Sequence, residues 1–295
     1  MGTLRVNSSQ LSVKTVERTG HRTRINWRHL ILHILLIAGA VAMVLPFLWM
    51  ISTSVKEASE VLTTTPSFLP KAWTWENYAL VFDQIPFARF YLNTILVMVG
   101  RVAGQLLIAS MAAFAFARLN FPGRNVLFIM ILAMLMVPGQ VTLVPNYILV
   151  KYLGWLDTYQ GLIIPGLFSA FGTFLLRQYF LTLPKDLEDA AVLDGCNPFQ
   201  VYLLIGLPLA RSSLVAFGLL VALWSWNDFL WPLIITNKTQ MQMLAVGMAY
   251  FRGQYVSSIP VMMAAATMAT IPMILAFIFV QRQLIEGITM TGIHG

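Results

Sequence analysis

The chain has 295 residues, 58% of them hydrophobic and 11% charged, with a formal net charge of +7. A water-soluble domain carries about a quarter charged residues, so this chain lacks the polar surface to coat a soluble globule, and its many apolar side chains exclude disorder. A single cysteine excludes an internal disulfide framework and a multi-thiolate metal site.

A helix needs about 20 apolar residues to cross the hydrocarbon core of a membrane. Six runs qualify in chain order: Leu30–Ile51, Phe90–Phe116, Val126–Val150, Tyr159–Phe180, Leu214–Ile235 and Met262–Val280. They are apolar on nearly all sides and lack the alternation of a transmembrane barrel strand. Pro46, Pro138, Pro145, Pro165, Pro232 and Pro272 interrupt them. Membrane neighbours can satisfy the carbonyls a proline frees, so bent helices around a pathway and ordinary proline usage both fit. The first run exceeds a signal-peptide core and no convincing small-x-small cleavage site follows it, so it reads as a retained helix.

Lysine and arginine set the orientation. Twelve lie in segment 1–28, in the second connector, in or at the edges of the fourth, and in the tail, and six in the alternate segments; Arg101 sits inside a span. The prediction is an all-α integral membrane protein with six transmembrane helices and both termini cytoplasmic. Its parts are a basic cytoplasmic N-terminal segment 1–28, a six-helix body 29–281 and a cytoplasmic tail 282–295. The external segments around 52–88 and 236–260 are long enough to meet a partner, or simply connect helices.

Enzymatic chemistry is missing. No lysine follows a glycine, so there is no phosphate loop, and the four histidines have no metal-ligand spacing. Neither a G-x-S-x-G elbow nor a carboxylate dyad occurs. No cofactor or metal is expected on this chain, and energy must come from another subunit or an ion gradient.

The connector 182–208 is the informative one. Pro184 can start a short helix, and Asp186, Glu188 and Asp189 suit its N-terminal dipole. Gly195 stands where a C-cap needs a left-handed residue. Asn197 then caps a second helix with Pro198 at its first position, and Leu207-Pro208 ends it. The result is a compact helix–turn–helix at the membrane face, with Ala190 and Ala191 as a small patch for a partner's groove.

Asp189-Ala190-Ala191-x3-Gly195-x9-Ile205-x-Leu207-Pro208 resembles the EAA loop of bacterial ABC importer permeases, with Asp189 where the family usually has Glu. Phe114–Arg118, Val137–Gln140, Phe174–Gln178 and Trp226–Leu233 extend the resemblance to the carbohydrate-uptake subfamily, and above all to the second permease of maltose-type and glycerol-3-phosphate-type importers. The ending Thr291–Gly295 departs from that subfamily's usual one. The resemblance implies a multi-pass subunit of the bacterial inner membrane, forming half of the pathway for a sugar, polyol or glycerol-phosphate solute. It further implies a sister permease, two copies of a cytoplasmic ATPase holding ATP and magnesium, and an external solute-binding protein. By position, Asp189, Ala190, Ala191 and Gly195 are the ATPase-coupling element, with Glu188, Asp194, Leu207 and Pro208 beside them. Segment 236–260 resembles the part that reaches toward the binding protein. The rival from another class, a proton- or sodium-driven transporter, calls for more titratable groups in the spans and for repeat symmetry.

Polar residues inside the spans suggest the solute route. Trp224, Asp228 and Trp231 fall at i, i+4 and i+7, on one face of a continuous fifth span. Aromatic faces cover apolar sugar surfaces while Asn227 or Asp228 accepts hydroxyl bonds. Arg101, near mid-membrane, must face protein or water. An ion pair with Asp228 and a polar partner on the sister subunit both fit, and the second is preferred. Gly100-x3-Gly104 permits close helix approach.

Overall fold

The computed structural model describes residues 27–63, 67–251 and 258–289, and these are mostly helical, with no strand among them. The expected basic leader lies outside them up to residue 26, as do Pro66, the stretch 252–257 and the ending Thr291–Gly295. The chain forms two units, 1–47 and 48–295.

In the first unit, α1 (Trp27–Ser54) begins. Its side chains from Trp27 to Phe47 are exposed all round, including Ile34, Leu35, Val41 and Met43. A continuous apolar surface of this kind is stable only against lipid or another protein.

The second unit holds the remaining helices in order: α2 (Ala58–Val61), α3 (Glu76–Gln84), α4 (Phe87–Arg118), α5 (Arg124–Met134), α6 (Gly139–Tyr152), α7 (Tyr159–Ile163), α8 (Ala170–Thr182), α9 (Asp186–Leu193), α10 (Pro198–Val201), α11 (Leu207–Leu209), α12 (Arg211–Trp226), α13 (Leu230–Ile235), α14 (Leu244–Tyr250) and α15 (Ile259–Thr289). A 3₁₀ turn, Ile164–Gly166, extends α7, and a π turn, Tyr202–Gly206, joins α10 to α11. The last helix runs into the segment expected as a tail.

Among the described residues, three helices are long and apolar enough to cross a membrane: α1, α4 and Ile259–Gln281 of α15. Three bent pairs bring the number to six if each is one span: α5 with α6 at 98°, Tyr159–Gly166 with α8 at 46°, and Pro198–Leu209 with α12 at 78°. The runs Val126–Val150 and Tyr159–Phe180 bend at the first two of these breaks, and Leu214–Ile235 is interrupted elsewhere, between α12 and α13, so of the two readings of the prolines the bent helices are found. Proline explains where. Pro138 precedes α6 without an N–H to continue α5. Pro165 lies in the 3₁₀ turn, after which Ser169 caps α8 by accepting from Gly172 N at 3.0 Å. Pro232 leaves the carbonyl of residue 228 without its helical partner, and α12 stops at Trp226.

The unbroken α4 is the axis of this unit, with α8 and α12 packed along it. Gly100 and Gly104 make the approach of the fourth run possible. A Cβ on Gly100 would sit 2.8 Å from Ile163, and one on Gly104 would collide with Leu167. At one end of α4, Ala109, Ala113 and Phe114 form a core with Leu176, Phe180, Ala191, Tyr202 and Phe217. At the other, Phe87 and Phe90 pack with Val81, Trp226, Leu244 and Ala264.

Polar side chains tie the long connectors down. Asn77 Nδ2 donates to the Ser54 and Lys56 carbonyls at 2.9 and 2.8 Å, while buried Lys56 donates to Ser67 O and lies over the Trp49 ring. Asn93 donates to the Gln240 and Gln242 carbonyls, and Asp157 accepts from Asn237 N and Lys238 N. The described part of segment 236–260 is thus pinned to α4 and to the 153–158 turn.

Candidate functional site: a capped elbow and a polar cavity on one helix

The elbow is built by local rules. After α9 the chain makes a Schellman turn: Gly195 has φ +88°, its N–H donates to Val192 O at 3.0 Å, and Cys196 N–H donates to Ala191 O at 2.9 Å. Asn197 then closes a full capping box, accepting from Gln200 N at 2.9 Å while Gln200 Oε1 accepts from Asn197 N at 2.8 Å. Leu207-Pro208 does not end this second helical run. The run continues to Leu209, because the π turn lets Leu207 N–H reach Tyr202 O and so accommodates Pro208, and the 78° bend follows.

The faces of α9 are unequal. Asp189, Ala190, Val192, Leu193 and Asp194 are exposed, Leu193 at 88%. Ala191 is instead buried in the chain's own core with Leu176 and Phe180, so only Ala190 of the expected pair is open to a partner. Packing decides this, since neighbouring residues point about 100° apart on a helix. Glu188 turns inward to Arg118 at the end of α4, Oε1 to Nε 2.8 Å, and Arg118 Nη2 also donates to Leu183 O at 2.6 Å. Burial pushes the Glu188 carboxyl above its usual range, against the opposing pull of Arg118. Arg118 was not singled out from the sequence; its place in the last turn of a long helix was the available signal.

The second cluster lies midway along the same helix. Arg101 Nε and Nη2 donate to Leu162 O at 3.0 and 2.8 Å, and Nη1 to Asp228 Oδ2 at 2.7 Å. Arg101 therefore pairs within its own chain, contrary to the preferred expectation of a sister-subunit partner. The physical cause is that the break after α12 brings the Asp228 carboxylate to the guanidinium. Gln105, one turn on, donates to Gly166 O at 2.6 Å. Two side chains of α4 thus hold carbonyls beside the Pro165 turn and the carboxylate of the α12–α13 break. These residues and Val221, Trp224 and Ser225 line a cavity of about 260 Å³.

The expected shared face of Trp224, Asp228 and Trp231 does not exist, because α12 ends before Asp228. Trp224 lines the cavity and packs edge-on against Phe171. Trp231 lies on α13 and donates to Gly161 O at 3.0 Å. Asn227 donates back to Leu223 O at 2.8 Å and borders a separate, mainly apolar hollow with Trp226, Met248 and Met273. Gln105 and Ser225 were missed; both stand within a helical turn of a charged residue that the sequence had marked. Among the described residues no group of histidine, cysteine or carboxylate side chains is arranged to hold a metal.

Residues 105–289 match the family of binding-protein-dependent transport system inner membrane components. The chain belongs to that family. It is the membrane-embedded permease subunit of an ABC importer, without an enzymatic centre of its own. It is 34% identical over 255 residues to the arabinooligosaccharides transport system permease protein AraQ of Halalkalibacterium halodurans, covering 85% of this chain and 91% of that one. It is 32% identical over 272 residues to the sn-glycerol-3-phosphate transport system permease protein UgpE of Brucella abortus, covering 89% and 96%. A bacterial ABC transporter involved in import of the acidic polysaccharide alginate superposes with a TM-score of 0.78 at 25% identity, over 87% of this chain and 96% of that one. The permease is a multi-pass protein of the inner membrane, and its family works with a partner permease, an ATPase and a substrate-binding protein.

Proposed function

We propose that this permease forms half of the translocation pathway for a sugar or a related polyol or glycerol-phosphate solute, and that α9 is the element its ATPase grips. Six spans place both termini and the elbow 182–208 in the cytoplasm, with the elbow between the fourth and fifth. Asp189, Ala190 and Asp194, with Leu193 beside them, form the exposed docking face; Gly195 and Pro208 shape the elbow, and Glu188 fastens it to α4. The assembly contains one sister permease, two ATPase copies that hold ATP and magnesium, and an external solute-binding protein.

One observation carries this reading. The unbroken α4 holds the elbow through Arg118 and the polar cavity through Arg101, 17 residues away and so about 25 Å along the helix. A push on α9 is delivered to a rigid rod whose middle grips both broken runs at Leu162 and Asp228. Closure of the ATPase thereby reaches the pathway and exchanges inward-facing for outward-facing access. The test is an Ala190→Cys cross-link to the ATPase, with solute uptake measured before and after the ATPase's phosphate-loop lysine is replaced. Uptake that survives that replacement, or a cross-link that never forms in assembled importer, refutes the reading.

A further inference from the structure

The cavity beside Arg101 has hydrogen-bonding capacity that the protein leaves unused. Ser225, one of the lining residues, is 2% exposed, and its buried Oγ has no partner. The Gln105 Oε1 atom is likewise buried without one, although Nε2 of the same amide is bonded to Gly166 O. Buried polar atoms are almost always paired, so two unpaired oxygens on residues that line one cavity ask for an occupant. A hydroxyl that both donates and accepts, an amide oxygen that accepts, and the nearby carboxylate match alcohol groups. Trp224, 53% exposed, offers an indole face for the C–H side of such a molecule.

Charge and size narrow the class. The guanidinium of Arg101 is neutralised by Asp228 and spends three N–H groups on Asp228 and Leu162, so the wall carries no net charge. A phosphate ester brought there would lose its hydration without a free cation to replace it. The volume of about 260 Å³ equals that of roughly nine waters, the scale of one sugar ring and below the usual range for larger ligands.

We infer that this cavity is a station for one ring or hydroxyl-bearing unit of an uncharged sugar or polyol, bound by Ser225, Gln105 and Asp228 against Trp224, and that it does not take the phosphate ester. The inference rests on the importer reading above and narrows its solute class. The test uses the assembled importer in membranes, with Cys196→Ser removing the native thiol. Ser225→Cys then puts a thiol in the cavity wall, and its reaction with a small methanethiosulfonate is timed with excess arabinose, arabinose trisaccharide, glycerol or sn-glycerol 3-phosphate. At least one neutral probe is expected to slow the reaction several-fold while the phosphate ester leaves it unchanged. Equal rates with every neutral probe, the result for a cavity that holds water alone, overturn the inference; so does protection by the phosphate ester. No turnover is needed, so this outcome is independent of the uptake experiment that tests the importer reading. Where the cysteine variant does not assemble, Ser225→Ala replaces it. Loss of one hydrogen bond should raise the KM for a transported neutral probe about three- to ten-fold, and an unchanged KM, or uptake of the phosphate ester alone, overturns the inference.

Discussion

Replacing Gly195 separates backbone geometry from docking sterics. Gly195 has φ +88°, and a Cβ built on it meets nothing within 4 Å. Within the subunit, the cost of a side chain is therefore conformational. Leaving the left-handed region would break the two bonds of the turn, Gly195 N to Val192 O and Cys196 N to Ala191 O, and swing Asn197 off its capping box. A β-branched residue held in that region costs about 1–2 kcal/mol or more, which lowers the occupancy of the intact elbow about five- to thirty-fold. Asparagine tolerates the left-handed region better than alanine despite its greater bulk. The expected order is Gly, Asn, Ala, Val, read as ATPase copurified with the permease and as binding-protein-stimulated ATP hydrolysis. The reasoning fails if Gly195→Val matches wild type, or if losses follow side-chain volume with Gly195→Ala milder than Gly195→Asn.

The two alanines of α9 should respond differently. Ala191→Leu overpacks the core around Leu176 and Phe180 and should destabilise the permease by about 1–3 kcal/mol, seen as earlier thermal aggregation. Ala190→Leu, on the exposed face, should keep permease stability and weaken ATPase attachment; equal thermal profiles for the pair contradict this division. Arg101→Gln leaves Asp228 without its cation and should cost about 3–5 kcal/mol, measured as loss of assembled, detergent-stable permease, whereas a normal yield of transport-competent importer would dismiss the ion pair. The raised carboxyl of Glu188 means the folded subunit holds that proton more readily than the unfolded chain. Its contribution is thus most favourable below the ordinary value of 4.5 and declines as pH rises through the raised one. Glu188→Gln should flatten the fall in melting temperature above that point, and an unaltered pH profile would show that another group sets it.

Several features were legible in the residues because they depend on local rules. The turn at Gly195 and the cap at Asn197-Pro198 follow from the spacing of those residues, and the structure makes their bonds, although α9 begins at Asp186, two residues after Pro184. Arg101 was recognisable as a residue that must face protein, since its cost in lipid does not depend on the fold. Gly100 and Gly104 marked a close approach, realised against Ile163 and Leu167. The shared face of Trp224, Asp228 and Trp231 was misread, because helical periodicity holds only while a helix continues, and a single proline at 232 does not announce how many residues the break will take.

From its sequence alone this chain is a helical membrane protein with a capped elbow, because apolar run length and capping chemistry act over a few turns at most. Which alanine of α9 stays open, which carboxylate answers Arg101, and which oxygens remain unpaired were settled only by tertiary structure. Those outcomes depend on where the broken runs turn and on what they meet along α4, and contacts such as Arg101 with Leu162 and Asp228, between residues far apart in the chain, leave no periodic trace in the residues that make them.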